Sequence, residues 1–487
     1  MIVYSVKLFG SKPEIAIIIC AGVAMYFEQF YLGCLAHASY LLASEGEAII
    51  VDPQRDVEIY LEAAKQHGVS IRHIFETHLH ADFVSGHKEL AARTGATIYI
   101  GDSAGAMFPH VPVKDGFALR VGNMRIDGLE TPGHTPESIC LVITDEEKSQ
   151  RPWAVLTGDT LFIGDVGRPD LSKTHTPQEL SGLMYDSLHG KLLTLPDDVL
   201  VYPAHGAGSL CGRNMRAERF STVGTERLTN YALQIKGRKD FVRQMTSNLP
   251  ARPDYFLEDA AINRAGATPL TDLPDLQAIA AAELSAMLER GAIALDVRPN
   301  DEFAAGHVPG SINVALSGQF ASWAGAVLGL SADPVLIAET AEQLDEARLR
   351  LARVGIENLA GYLDGGPAAW QRAGFALQPL PQITVQELNS RLRANAVQVL
   401  DVRRESEWEG GHINGADWYP LDRFKTALPA IEAGQPLAVH CKGGYRSAIA
   451  CSLLQRAGYD NVINVVGGFD AWLEAKLPAE SGAAVSA

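Results

Sequence analysis

Cysteine is scarce: six residues in 487, at positions 20, 34, 140, 211, 441 and 451, too far apart for a disulfide scaffold. That excludes a small cross-linked secreted fold and points to reduced thiols, used one at a time, in a cytoplasmic setting. Basic charge is also short. Lys and Arg total 41 against 58 Asp and Glu, the net charge is −17, and no Lys/Arg block stands out. The chain lacks the cationic footprint that nucleic acids or anionic membranes require. The apolar run Ile15 to Met25 holds only 11 residues, too few to span a bilayer. It has the size of a signal-peptide core with Lys7 and Lys12 ahead of it, yet Glu14 intrudes and Met25 is an alternative start. Residues 1–24 are therefore read as an N-terminal extension or a targeting-like segment.

What is present is a globular composition, 47% hydrophobic and 20% charged. The length exceeds the about 250 residues at which a single core stops growing, so several domains are expected. An internal repeat fills the C-terminal half: LDVRPNDEFAAGHVPG at 295–310 and LDVRRESEWEGGHING at 400–415, then GPAAW at 366–370 and GFDAW at 468–472. Each copy opens with an apolar strand pattern (AIALDV, VQVLDV), has another midway (PVLIAE, PLAVHC) and alternates these with helical stretches, which predicts parallel-sheet α/β domains at 275–376 and 383–478. The Pro-punctuated LQPLPQ joins them. Residues 25–250 carry short strands with His or Asp at their ends, which suits a layered αββα fold with a polar cleft. Residues 217–247 read as helical, 251–274 as a linker and 479–487 as a disordered tail.

In ETHLHADFVSGH, His78, His80, Asp82 and His87 fall within ten positions after an apolar strand. His134 follows in TPGHTPES, Asp159 in LTGDTLF and His205 in VYPAHG. One histidine alone is more often structural; their joint placement at strand ends points to a metal. The series resembles the metallo-β-lactamase superfamily, matching its HxHxDH motif, distant His, bridging Asp and last His in order. Phe83 departs from that pattern, standing where HxHxDH ends in His, so a second metal site of Asp82 and His205 lacks a ligand. His78, His134 and Asp159 remain, a two-His-one-carboxylate set with open positions that fits mononuclear non-haem Fe(II).

Within the superfamily the sequence is similar to the persulfide dioxygenase branch. That resemblance implies that His78, His134 and Asp159 hold the iron, while His80, Asp82 and His205 orient ligands or substrate by hydrogen bonds. It also implies that Arg168, in IGDVGRPDL, binds the thiol carrier. Glutathione-using members carry an Asp-Tyr pair after the last His; AHGAGSLCG lacks it, which leaves the carrier open. Cys211 either lines the entrance or is an inert buried thiol, and His37 either approaches the pocket or packs in the core.

VHCKGGYRS follows an apolar strand and precedes a helix-like run, which places Cys441 where a loop enters a helix. The amides of Lys442, Gly443, Gly444, Tyr445 and Arg446 can curl round its sulfur and favour the thiolate. The loop resembles the rhodanese family, with Asp401 and His412 at its other marker positions. Cysteine phosphatases need C-x5-R; Cys441 to Arg446 is C-x4-R, a smaller cradle suited to sulfane sulfur. Cys451, on the helix face, reads as structural. In the first copy Glu339 takes the place of Cys441 and no glycine loop follows, so 275–376 is read as catalytically silent.

The whole resembles fusions of a persulfide dioxygenase with a silent and an active rhodanese domain. The function this implies is oxidation of a low-molecular-weight persulfide by O2 to sulfite, with sulfane-sulfur transfer at Cys441 converting sulfite to thiosulfate or the reverse. The rival reading is a glyoxalase II-type zinc thioester hydrolase joined to a sulfurtransferase. The expected partners are these small molecules and further copies of the chain in a homo-oligomer, with no nucleic acid and no membrane.

Overall fold

The structure, a computed structural model, describes residues 15–17, 25–247, 249, 251–431 and 434–480. Apart from the short strand Ile15–Ile17, the segment 1–24 lies outside the described residues, as does 481–487. The chain divides into two compact units, one of Met1–Leu273 with Ala352–Gly355, the other of Pro274–Leu351 with Ile356–Ala487. Among the described residues no helix is long and apolar enough to cross a membrane.

The first unit is built on two sheets. One has seven strands lying side by side in chain order from Ile15–Ile17 to Val111–Val113. The other has six, from Ala118–Val121 to Ser221–Thr222, also in chain order across the sheet. Two-residue alternation sorts each strand between layers. Ile139, Leu141 and Ile143 enter the core between the sheets together with Tyr40, Leu42, Val51 and Phe75. Their neighbours Cys140 and Val142 face the helices Pro177–Gly190 and Arg238–Thr246, meeting Met184, Leu188 and Phe241. Leu41, Ala43 and Ile50 face Glu58–His67 and His87–Thr94. The strand His37–Ser44 is consequently buried at every position, as strands covered on both faces are. The layers are helix, sheet, sheet, helix, as the sequence predicts.

Two expectations need correction. Residues 217–247 are not one helical stretch: helices Val223–Thr229 and Arg238–Thr246 are separated by a break at Asn230. The Asn230 side chain is buried and used there, its amide donating to Asp165 O (2.9 Å) and its oxygen accepting from Ala232 N (3.1 Å). Nor is 251–274 a bare linker. It contains the helix Phe256–Ala265, whose Phe256, Asp259 and Asn263 are fully buried in the first unit.

The second unit shows the repeat as architecture. Each copy has a five-stranded, wholly parallel sheet in one spatial order: 278–279, 361–363, 335–337, 294–296, 312–313 in the first, and 382–383, 462–465, 437–440, 398–401, 417–418 in the second. Trp370 and Trp472 close equivalent cores, each indole donating to a carbonyl six residues on, at 3.0 and 2.9 Å. The tail reading of 479–487 is corrected at its start, since Ala479–Glu480 pairs antiparallel with His412–Ile413.

Leu284 and Leu388 occupy matching helices of the two copies and are both fully buried. Replacing either by Ala should cost about 2–5 kcal/mol, the usual range for a cavity of that size. Denaturant unfolding checks this; a loss confined to one position would show that the two cores are not equivalent.

Candidate metal centre and thiol loop

The strands Glu47–Val51, Ser70–Phe75, Met124–Glu130, Ala154–Gly158 and Leu200–Pro203 end at one edge of the first unit, and their exits carry the ligand candidates. Asp52 leaves its strand at φ +52°, a left-handed turn that Asp tolerates better than most residues. Its carboxylate accepts from Thr77 N (2.7 Å) and Thr77 Oγ1 (2.9 Å). With its proton spent, Thr77 Oγ1 accepts from His78 Nδ1 at 3.0 Å, leaving Nε2 as the free acceptor. His134 Nδ1 likewise donates to Arg168 O at 3.0 Å.

The two Nε2 atoms point at one oxygen, Asp159 Oδ2, at 3.7 Å from His78 and 3.3 Å from His134. Both are buried and have no hydrogen-bond partner among the described residues. Burial above all holds both rings below the ordinary histidine range, so they are neutral. Burial alone would raise Asp159, but the surrounding imidazoles, His205 foremost, outweigh it and keep the carboxylate ionised. Two neutral, unpartnered nitrogens facing one anionic carboxylate make a donor set that a divalent metal fits.

His80, Asp82 and His205 form a second compact group. His205 Nδ1 lies 2.8 and 3.0 Å from the Asp159 oxygens and Nε2 lies 2.9 Å from Asp82 Oδ2. Against the pull of burial, these two carboxylates raise its affinity for a proton well above the ordinary range. His80 Nε2 faces Asp52 Oδ1 at 3.1 Å. Phe83 is fully buried, its ring centroid 4.1 Å from that of His37 and 4.4 Å from that of His80. His37 thus stands in the ring cluster beside the site.

Of the other residues, the structure separates His87 from the centre and keeps Cys211 and Arg168 beside it. His87 begins a helix next to Glu76 (3.5 Å) and packs on Phe108; burial above all pushes it down to about 3. Cys211 is buried, within reach of Asp159 and His205, and burial then the two nearby carboxylates push its thiol up. The Arg168 guanidinium, expected at the thiol carrier, pairs with both oxygens of Asp170 (2.6 and 2.8 Å) and with Leu210 O (3.3 Å). Its backbone N donates to Cys211 O at 2.9 Å while its carbonyl holds His134. Gly167 before it has no room for a side chain: a Cβ would sit 2.1 Å from Asp159 O and 2.7 Å from His134 Nδ1.

Sequence reading missed Asn263. Its amide donates to His80 O (2.7 Å) and Phe83 O (2.8 Å), and its oxygen accepts from Ser85 N (2.8 Å). One side chain therefore satisfies three backbone groups of the metal loop. A lone Asn in a helix carries no pattern that would reveal this.

In the second unit Cys441 is buried at the end of the strand Leu437–His440, and Gly444 N donates to its Sγ at 3.1 Å. Gly444 does so at φ +105°, which a side-chain-bearing residue rarely adopts. Phe469 N and Asp470 N donate to Cys441 O and Lys442 O (2.8 and 3.0 Å), an approach that Gly468 permits because a Cβ there would meet Cys441 O at 2.4 Å. Lys442 and Gly443 are exposed. Arg446 forms a two-pronged ion pair with Glu407 (2.6 and 2.7 Å), and Tyr445 OH donates to Ala315 O. Cys451 is fully buried on the following helix, and burial pushes its thiol up, as a structural thiol requires. Asp401 and His412 serve the frame: Asp401 pairs with Arg403, and the His412 ring stacks on Trp408. Asp296 with Arg298, and His307 with Phe303, repeat this in the first copy. There the expected match of Glu339 to Cys441 is corrected by one residue: Asp296 lies beside Ile337 as Asp401 lies beside His440, so Ala338 takes the place of the cysteine.

Fold and sites together define a metallo-β-lactamase-fold protein with a buried His/Asp metal centre, followed by two rhodanese-type domains. Residues 32–205 match the metallo-beta-lactamase superfamily, and 280–373 and 384–475 each match the rhodanese-like domain. The persulfide dioxygenase ETHE1 of Bos taurus is 31% identical over 239 residues, 47% of this chain and 84% of the relative. A hydroxyacylglutathione hydrolase of Polaromonas sp. is 34% identical over 187 residues, 37% of this chain and 66% of the relative. Among solved structures, a metallo-beta-lactamase from Staphylococcus aureus is 33% identical with a TM-score of 0.63, covering 70% of this chain and 98% of that one. The chain belongs to the metallo-β-lactamase superfamily, in the family of the persulfide dioxygenase ETHE1, and carries two rhodanese-like domains.

Asn263→Ala should leave the fold intact and weaken metal binding about 10- to 100-fold, the usual effect of removing a group that orients ligands. Competition with a chelator measures it; unchanged affinity would mean that the loop holds its shape unaided.

Proposed function

We propose that the first unit oxidises a low-molecular-weight persulfide with O2 at a single Fe(II) held by His78, His134 and Asp159, and that Cys441 carries sulfane sulfur. The balance is RSSH + O2 + H2O giving RSH + HSO3⁻ + H⁺. At Cys441 a second persulfide passes its outer sulfur to the thiolate, releasing RSH, and the Cys441 persulfide passes it to sulfite, giving thiosulfate and restoring the thiolate; the reverse direction uses the same steps. The observation that carries the first half is the pair of neutral, unpartnered Nε2 atoms aimed at one ionised carboxylate. It is supported by the persulfide dioxygenase relatives. Iron held by these three residues would supply the redox chemistry with O2 that protein side chains lack.

The protein's own groups do the positioning. Asp52 through Thr77, and the Arg168 carbonyl, fix which nitrogen each imidazole offers. His205, bridging Asp82 and Asp159, holds the carboxylate in place. Phe83 and His37 fill the space beside it with rings. Arg168 acts as the brace of its turn. At the thiol loop the Gly444 amide stabilises negative charge on sulfur, while Arg446 is held by Glu407 and ties the helix to the frame. The described cysteines are free, in keeping with a reducing cytoplasm.

The second reading, a zinc thioester hydrolase, is favoured by the hydroxyacylglutathione hydrolase relative. Metal analysis with oxygen uptake on a persulfide separates the two; stoichiometric zinc without uptake would remove the dioxygenase. Uptake compared across glutathione, coenzyme A, cysteine and bacillithiol persulfides identifies the carrier.

His78→Ala or Asp159→Ala should lose iron and oxygen uptake together, because three protein ligands leave no redundancy. Full metal and turnover in either variant would overturn the assignment. Cys441→Ser should keep oxygen uptake and accumulate sulfite where the unaltered protein yields thiosulfate, since a hydroxyl forms no persulfide. Equal thiosulfate from both would place the sulfur transfer elsewhere.

A further inference from the structure

The first rhodanese copy has no nucleophile, yet it touches the loop that does. Tyr445, between Gly444 and Arg446, turns away from the sulfur and donates its hydroxyl to Ala315 O of the first copy at 2.7 Å. Its ring lies over Gly318 so closely that a Cβ there would meet ring carbons at 2.4, 2.5 and 2.8 Å. The Gly318 backbone lies outside the left-handed region, so the ring alone bars a side chain. Arg350 fastens this slot from beneath, donating to Leu316 O (2.5 Å) and Gly318 O (2.8 Å).

The contact continues along the helix Tyr445–Arg456. Ser452 Oγ accepts from Asn313 N at 3.0 Å, and Arg456 donates to Gly310 O (2.8 Å) and Ala292 O (3.0 Å). Positions 445, 452 and 456 are spaced by seven and four, so they share one helix face. The helix whose first turn adjoins the Cys441 loop is therefore laid along the first copy over its whole length.

Gly443 and Gly444 make that loop intrinsically loose, since glycine visits many backbone conformations. The donor to Cys441 Sγ is the amide immediately before Tyr445. We propose that the first copy is a clamp for the second: the slot at Ala315–Gly318 receives Tyr445 and thereby holds the Gly444 amide on the sulfur. Tyr445 and Gly318 are positioning residues for sulfur transfer. The proposal rests on the reading of Cys441 as a sulfur carrier.

The full-length chain is assayed with thiosulfate as donor and cyanide as acceptor, and separately for the rate at which iodoacetamide alkylates Cys441, with Cys441→Ser as the background. Tyr445→Phe removes one hydrogen bond and keeps the ring; kcat and alkylation rate should fall together by about 3- to 10-fold, with KM for thiosulfate unchanged. Gly318→Val fills the slot and should cost more than about 10-fold in both. In a Tyr445→Ala background, where no ring remains to displace, Gly318→Val should cost nothing further. Oxygen uptake on a persulfide should stay unaltered in all of them.

Unaltered kcat and alkylation in Tyr445→Phe, or a Gly318→Val loss that adds in full to that of Tyr445→Ala, would overturn the clamp. If Gly318→Val does not fold, Tyr445→Phe alone decides. An unaltered chain with no sulfur transfer would remove the sulfurtransferase reading, while the alkylation rates would still decide whether the clamp exists.

Discussion

Asp159 is an ionised carboxylate shut away from water, and an uncompensated charge in such a place costs several kcal/mol. Much of the first unit's edge is arranged around that demand. His205 faces both oxygens while His78 and His134 face one of them, and these three rings arrive from separate strand exits. The two sheets must therefore meet in fixed register at that edge. Ala38 N donates to Ala204 O, Gly206 N to Ala36 O and Ile139 N to Thr77 O, three links that join sheet to sheet around the carboxylate. The anion and the sheet pairing specify one another.

How much of this the sequence disclosed depends on how local each contribution is. The layered fold and the repeat were legible because alternation and duplication are written in consecutive residues. The grouping of His78, His134 and Asp159 was legible because strand ends concentrate His and Asp. Proximity in sequence is no guide by itself: His87 follows closely on His78, His80 and Asp82, but it opens a helix and turns toward Glu76. What stayed hidden acts at long range or through backbone. Asn263 reaches His80 O across 183 residues. Arg168 supports His134 with a carbonyl, a group every residue carries, so its identity gives no hint of that role. The Glu407 partner of Arg446 was equally invisible, because an acidic residue in a surface helix is ordinarily solvated.

The duplicated half separates frame from chemistry without any outside comparison. Asp296 with Arg298, and Asp401 with Arg403, form the same buried pair, and each arginine also donates to a glycine carbonyl eight residues on (3.0 and 2.8 Å). Whatever is built identically in a copy with Ala338 and in a copy with Cys441 at that place serves folding. The copies differ in the loop that begins at Cys441, and also between the last strand of the sheet and the central one, where the first copy has the helix Phe320–Leu328 and the second, among the described residues, only the short turn Leu421–Arg423.

Gly366 and Gly468 extend that comparison to design. Both lie at positive φ, at +58° and +56°, and both let a helix start press on the end of the neighbouring strand, with a would-be Cβ 2.6 Å from Ala338 O in one and 2.4 Å from Cys441 O in the other. The first copy has thus kept the narrow passage under its loop while replacing the loop itself. The close approach of helix start to strand end therefore does not depend on a cysteine being there. One backbone constraint thus carries two different loops, and a glycine at either position answers to the strand it presses on rather than to the residue at the strand's end.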